Sequence, residues 1–145
     1  LIHIKPYEPA FLSGVAELLE ELGYPIEEAE AALRLETIRQ KDSLETYLAV
    51  TEDGAAAGLI SLRLLYALEY PGPIAQVALI VVKESQRGNG VGKQLMAFAE
   101  EWAREREGDM VMLASGIKPE REHAHAFYKR LGYTVTGYRF VKMIT

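Results

Sequence analysis

The sequence predicts a mixed α/β sandwich, with helices packed on a partly antiparallel sheet, and three observations carry that reading. Segments of period two and segments of helical period follow one another in the order β, α, α, β, β, β, α, β, α, β, β, which is not the regular alternation of a doubly wound sheet. A nearly continuous apolar run rich in β-branched residues, Val77 to Val82, marks a central strand buried on both faces. Three glycines in five positions, Gly88, Gly90 and Gly92, then separate that strand from an amphipathic helix.

The elements follow in order. Ile2 to Tyr7 alternates as a short strand, and Phe11, Val15, Leu18, Leu19 and Leu22 recur at helical spacing until Gly23 ends the pattern. A second helix runs from Ile26 to Gln40 with Ala29, Leu33 and Ile38 on a less regular stripe; Glu27, Glu28 and Glu30 sit in its first turns, where carboxylates suit the helix dipole. Tyr47 to Thr51 and Ala57 to Leu65 flank Glu52-Asp53-Gly54 and read as a hairpin. Tyr70-Pro71-Gly72-Pro73 breaks the next connection. After the glycine stretch, Val91, Leu95, Phe98 and Trp102 define a helix that stops near Gly108, and Met110 to Leu113 form another strand. Ala124, Phe127, Tyr128 and Leu131 mark a last helix, closed by Gly132 behind Lys129 and Arg130. Tyr133 to Ile144 alternates as two final strands around Thr136-Gly137. No repeat, low-complexity tract or linker interrupts the chain, so a single domain is expected over residues 1–145.

Composition narrows the class. With 145 residues, 49% of them hydrophobic, the chain can bury a core without disulfides. The absence of cysteine excludes a thiol nucleophile, thiolate zinc sites and iron–sulfur ligation, and a cytoplasmic location is the default. A formal net charge of −5 argues against a general binder of nucleic acid. No apolar run approaches the roughly 20 residues that span a bilayer, and the amino terminus lacks the order of a secretion signal. The chain starts at Leu1 rather than Met, which leaves room for a residue or two upstream. His123 and His125 are two apart and point to different faces of a helix, so no metal site is expected.

The glycine stretch carries the chemistry. Between a buried strand and a helix it exposes successive main-chain amides where the helix dipole also favours an anion, which implies a ligand bearing phosphate. A Walker loop needs Gly where Arg87 stands and Ser or Thr where Gln94 stands, and a dinucleotide fingerprint needs Gly in place of Lys93. What remains is Arg-x-x-Gly-x-Gly, filled by Arg87, Gly90 and Gly92.

In this position the pattern resembles the acetyl-CoA signature of the GNAT family of N-acetyltransferases. The resemblance covers nearly the whole chain. Ile80-x-Val82 is similar to the family's central strand, Arg87 to Lys93 to its pyrophosphate loop, and Ala124-His125-Ala126-Phe127-Tyr128 with Leu131-Gly132-Tyr133 to its closing helix. It implies the GNAT fold, a mixed sheet of about seven strands with four helices packed on it, whose central strands splay to hold acetyl-CoA. Backbone groups of Ile80, Val81 and Val82 would pair with the two amides of pantetheine, groups that need partners once bound. Arg87, Gly88, Asn89, Gly90, Val91 and Gly92 would hold the pyrophosphate, with Arg87 and Lys93 adding positive charge.

The resemblance further implies direct transfer of an acetyl group to the primary amine of a small molecule, with Tyr128 as general acid to the leaving thiolate. A phenol with a pKa of about 10 is protonated at neutral pH and can donate to sulfur. Family members often place a glutamate on the central strand, whereas here Gln76-Val77-Ala78-Leu79 has no carboxylate. Deprotonation of the amine would then run through water, with Glu69, Tyr66, Glu84 or His125 as relays. Arg121 stands where many relatives carry asparagine, so that contact is not carried over. Arg121-x-x-Ala124-His125-x-Phe127-Tyr128 and Phe140-x-Lys142 are similar to a branch containing aminoalkylphosphonate N-acetyltransferases and, more distantly, aminoglycoside 6′-N-acetyltransferases. Two alternatives stay open: acetylation of a protein lysine or amino terminus, which needs an open groove that the segment from Tyr66 to Pro73 could close, and a non-catalytic CoA-binding module. Glu17, Glu20, Glu21, Glu27, Glu28, Glu30 and Glu36 read first as solvated helix faces, and second as a rim attracting a cationic amine. Strands after Gly137 offer an edge on which a second copy could pair as a homodimer.

Overall fold

The computed structural model describes residues 1–144, in which the chain forms two compact units, 1–112 and 113 onward. In the first unit the period-two segments become β1 (Ile2–Pro6), β2 (Glu45–Thr51), β3 (Ala56–Leu65) and β4 (Ile74–Val82), each antiparallel to the next. The short strand β5 (Val111–Leu113) completes a mixed sheet in the order β1-β2-β3-β4-β5. The helical segments are α1 (Leu12–Leu22), α2 (Glu28–Lys41) and α3 (Val91–Glu105), with α4 (Glu122–Arg130) in the second unit. Among the described residues no helix is long and apolar enough to cross a membrane.

Alternation along the hairpin sorts its side chains between two helical layers. Leu48, Val50, Leu59 and Val81 form one buried cluster with Val15 and Leu18 of α1. Tyr47, one residue out of phase, meets Phe98 of α3 edge-on at a centroid distance of 4.7 Å. Gly58 lies opposite Ala49 on β2 and Val82 on β4. A Cβ at Gly58 would sit 3.1 Å from each of Leu95 Cδ1, Val91 Cγ1 and the Val81 carbonyl oxygen. Glycine in this strand therefore lets the first turns of α3 rest directly on the sheet. α2 buries only Ala31, as its irregular stripe foretells. Its end is fastened by Asp42, whose Oδ2 accepts from Arg63 at 2.6 Å, while the same guanidinium donates to Gln76 at 2.7 Å.

Three expectations need correction. The central strand is not buried on both faces: Ala78 is exposed, and Leu79, Ile80 and Val82 are half-buried. A bulge accounts for Ala78, since Ser61 pairs with Leu79 and Leu62 with Val77, leaving Ala78 as the extra residue that bends the strand. The two final strands expected from Tyr133 to Ile144 do not form, so the sheet has five strands rather than about seven. Alternation sets which side chains would share a face but supplies no neighbouring ladder, and Tyr138, Phe140 and Ile144 are 87%, 91% and 93% exposed. The edge on which a second copy was expected to pair is therefore absent among the described residues.

The close seat of α3 yields a test. Gly58→Ala must displace Val91, Leu95 or the β4 backbone, and should lower stability by about 1–3 kcal/mol in denaturant unfolding. A variant as stable as the parent would show that the seat is looser than described.

Candidate cofactor and acyl-transfer site

The site begins at the outer edge of β4. The Ala75 N–H donates to the Met110 carbonyl at 3.0 Å, just before β5 starts. With three residues against nine, β5 can serve only the first part of that edge, and Leu79–Val82 extend past it. Lys83 then anchors the strand's exit, its N–H donating to the Ala57 carbonyl at 2.8 Å. A 3-10 turn, Glu84–Gln86, follows, and Gln86, Arg87 and Asn89 donate their N–H groups to Lys83, Glu84 and Gln86 at 2.9, 3.2 and 3.3 Å.

Gly88 and Gly90 have φ of 86° and 79°, the left-handed region that L side chains resist. Gly90 caps α3, its carbonyl accepting from the Gln94 N–H at 3.0 Å. The N–H groups of Gly88, Gly90, Val91, Gly92 and Lys93 consequently have no acceptor among the described residues. This differs in detail from an unbroken series over 87–92: the amides of Arg87 and Asn89 are engaged within the turn, and Lys93 contributes one instead. The Arg87 and Lys93 side chains are exposed and make no ion pair among the described residues. Open amides at a helix N-terminus beside two uncommitted cations fit a phosphate-bearing ligand in chemistry and charge. A neighbouring cleft of about 480 Å³, lined by Glu52, Asp53, Gln86 and Asn89 among others, has the opposite character. The Asp53 carboxyl there is held below its usual range, first by the Thr51 hydroxyl and then by the Ala55 backbone, so it stays charged and disfavours an anion.

In the second unit, α4 presents Tyr128 half-buried, with Phe127 and Tyr133 rings at 5.3 and 6.4 Å. Burial pushes its phenol above the ordinary value, against an opposing effect from the Arg121 charge. The group is therefore neutral at physiological pH and able to donate a proton. His125 is committed to the loop before α4, with Nε2 2.8 Å from the Gly116 carbonyl, which assigns that nitrogen the proton. Of the other relay candidates, Tyr66, Glu69 and Glu84 are exposed and belong to the first unit. Ile80, Val81 and Val82 lead within one unit through the turn to residues 87–93, whereas Tyr128 belongs to the other. Sequence reasoning missed Gly58 and the bulge at Ala78. A lone glycine inside a strand pattern was a readable sign of the first; a continuous apolar run conceals the second.

The chain belongs to the acetyltransferase (GNAT) family, whose sequence profile matches residues 12–133. That family uses acetyl-CoA. An aminoalkylphosphonate N-acetyltransferase of Salmonella typhimurium is 36% identical over 98 residues, 68% of this chain and 62% of that protein, so the match spans less than two thirds of the relative's length. An uncharacterized N-acetyltransferase of Bacillus subtilis, YhdJ, is 32% identical over 112 residues, 77% of this chain and 76% of the relative. The crystal structure of a GNAT family acetyltransferase from Staphylococcus aureus superposes with a TM-score of 0.83 over 99% of this chain and 98% of that one, at 23% identity.

The state of Tyr128 can be measured by alkaline absorbance titration, taking the difference between the parent and Tyr128→Phe. The folded pKa is raised, so the neutral phenol's contribution to stability is complete below the unfolded value of about 10 and is lost as pH rises through the folded value. The difference step should be centred above that of free tyrosine; a midpoint at or below it would contradict the burial.

Proposed function

We propose that the protein transfers the acetyl group of acetyl-CoA to the primary amine of a small molecule, by direct attack, with Tyr128 as general acid. The observation that carries this reading is the set of amides at Gly88 and Gly90–Lys93 that have no acceptor among the described residues, flanked by the side chains of Arg87 and Lys93. The diphosphate would lie on those amides and the pantetheine arm along Ile80–Val82, where β4 runs beyond β5. The neutral amine nitrogen attacks the thioester carbonyl, a C–N bond forms, the C–S bond breaks, and the amine's surplus proton leaves to water. The departing sulfur takes its proton from the Tyr128 hydroxyl, which burial keeps protonated. The Salmonella relative's name supports an aminoalkyl compound as the acceptor. With no carboxylate in Gln76-Val77-Ala78-Leu79, water rather than a strand side chain receives the amine's proton.

The test is thiol release from acetyl-CoA across a panel of small amines that includes aminoalkylphosphonates, with mass spectrometry of the products. Tyr128→Phe should lower kcat by about 100-fold or more while calorimetry gives an unchanged dissociation constant for coenzyme A. An unaltered rate would remove Tyr128 from the chemistry, and folded protein that released no CoA with any amine would refute the activity.

A further inference from the structure

The turn after β4 is held by side chains that arrive from far away in sequence. Glu17 and Glu21 stand four residues apart on α1 and so share one face. The Glu21 Oε1 accepts the Glu84 main-chain N–H at 2.7 Å, and the Glu17 Oε1 accepts from Lys83 Nζ at 2.9 Å. Lys83 and Glu84 are the two residues by which the chain leaves β4. Their carbonyls in turn accept the N–H groups of Gln86 and Arg87, immediately before the open amides. A continuous path of hydrogen bonds thus runs from α1 to the residue preceding Gly88.

Both carboxylates are exposed, and α1 is already seated through Val15 and Leu18, so the core does not require them. Lys83 is held firmly protonated, first by its bond to Glu17 and the Glu17 charge, with Glu21 adding to it. Its ammonium reduces the negative field that two carboxylates would otherwise cast on an arriving phosphate. We propose that Glu21 is a positioning residue for the diphosphate-binding turn: it fixes the main chain at Glu84, and Glu17 assists through Lys83. The inference rests on the reading of residues 88–93 as the diphosphate site and adds a second attachment for that turn. α3 determines where the turn ends, and α1 where it begins. Glu21 acts only through the main chain and touches neither acetyl group nor amine.

The experiment compares two thioester donors, acetyl-CoA and acetyl-pantetheine, which lacks the diphosphate, on the full chain and two variants. Glu21→Ala removes the acceptor; Glu21→Gln keeps a carbonyl oxygen at the same reach. The expected result is a KM for acetyl-CoA raised about five- to tenfold in Glu21→Ala, the scale of one lost hydrogen bond, with kcat within twofold. Glu21→Gln should return that KM to within about twofold of the parent, and acetyl-pantetheine should not distinguish the three proteins. A KM for acetyl-CoA unmoved by Glu21→Ala, or an equal loss with both donors, overturns the positioning role. Calorimetry with coenzyme A separates the two readings: a parent protein that does not bind it overturns the diphosphate site and this inference together, whereas parent binding with an unaltered Glu21→Ala variant overturns this inference alone.

Discussion

Because Gly58 offers no side chain, Val91 and Leu95 press against the sheet at the distance where a Cβ would otherwise stand, and this contact decides where α3 begins. Val91, Leu95, Met96, Ala99 and Trp102 are all buried along the same helix, and each large apolar side chain removed from water contributes about 1.5–3 kcal/mol. The seam is thus strong enough to hold the helix N-terminus against local strain. The chain between the end of β4 and the start of α3 is short, so a fixed helix leaves its first amides little freedom of direction. The left-handed conformations of Gly88 and Gly90 let the intervening chain close that distance.

The charge distribution follows a similar logic. The chain as a whole is acidic, and at long range it repels an anion. Positive character is confined to a few ångströms, where main-chain N–H groups, a helix terminus and two cations without an ion pair among the described residues coincide. Of the acidic residues nearby, Glu17 pairs with Lys83, whereas Asp53 accepts from the Thr51 hydroxyl and keeps its charge. Short-range complementarity inside an unfavourable general field favours ligands that present a compact, highly charged group at one place.

How much of this could be read from the letters depends on range. The hairpin, α1 with its glycine end, and the strand–glycine–helix passage were legible because each is written in contiguous residues by period and punctuation. The glycine stretch was legible as a turn for the same reason, since three glycines ahead of an amphipathic helix punctuate the pattern plainly. The bulge at Ala78 was not legible, because Val77 to Val82 has no alternation for an extra residue to interrupt. The carboxy-terminal strands were misread because the pattern of Tyr133 to Ile144 describes a surface and not a partner. The bond between Glu21 and Glu84 joins residues 63 apart, and nothing local distinguishes that glutamate from Glu20 beside it.

The single tryptophan of the chain occupies an unusual place in this arrangement. Trp102 is 3% exposed on the last turns of α3, its indole N–H directed at Glu45 at 3.4 Å and the Arg106 guanidinium 4.1 Å above its ring. A charged group over the ring and a carboxylate at its nitrogen make its excited state sensitive to small shifts between α3 and β2. The protein therefore carries an intrinsic fluorophore on the helix that follows the glycine turn, and its emission reports on that helix without any label.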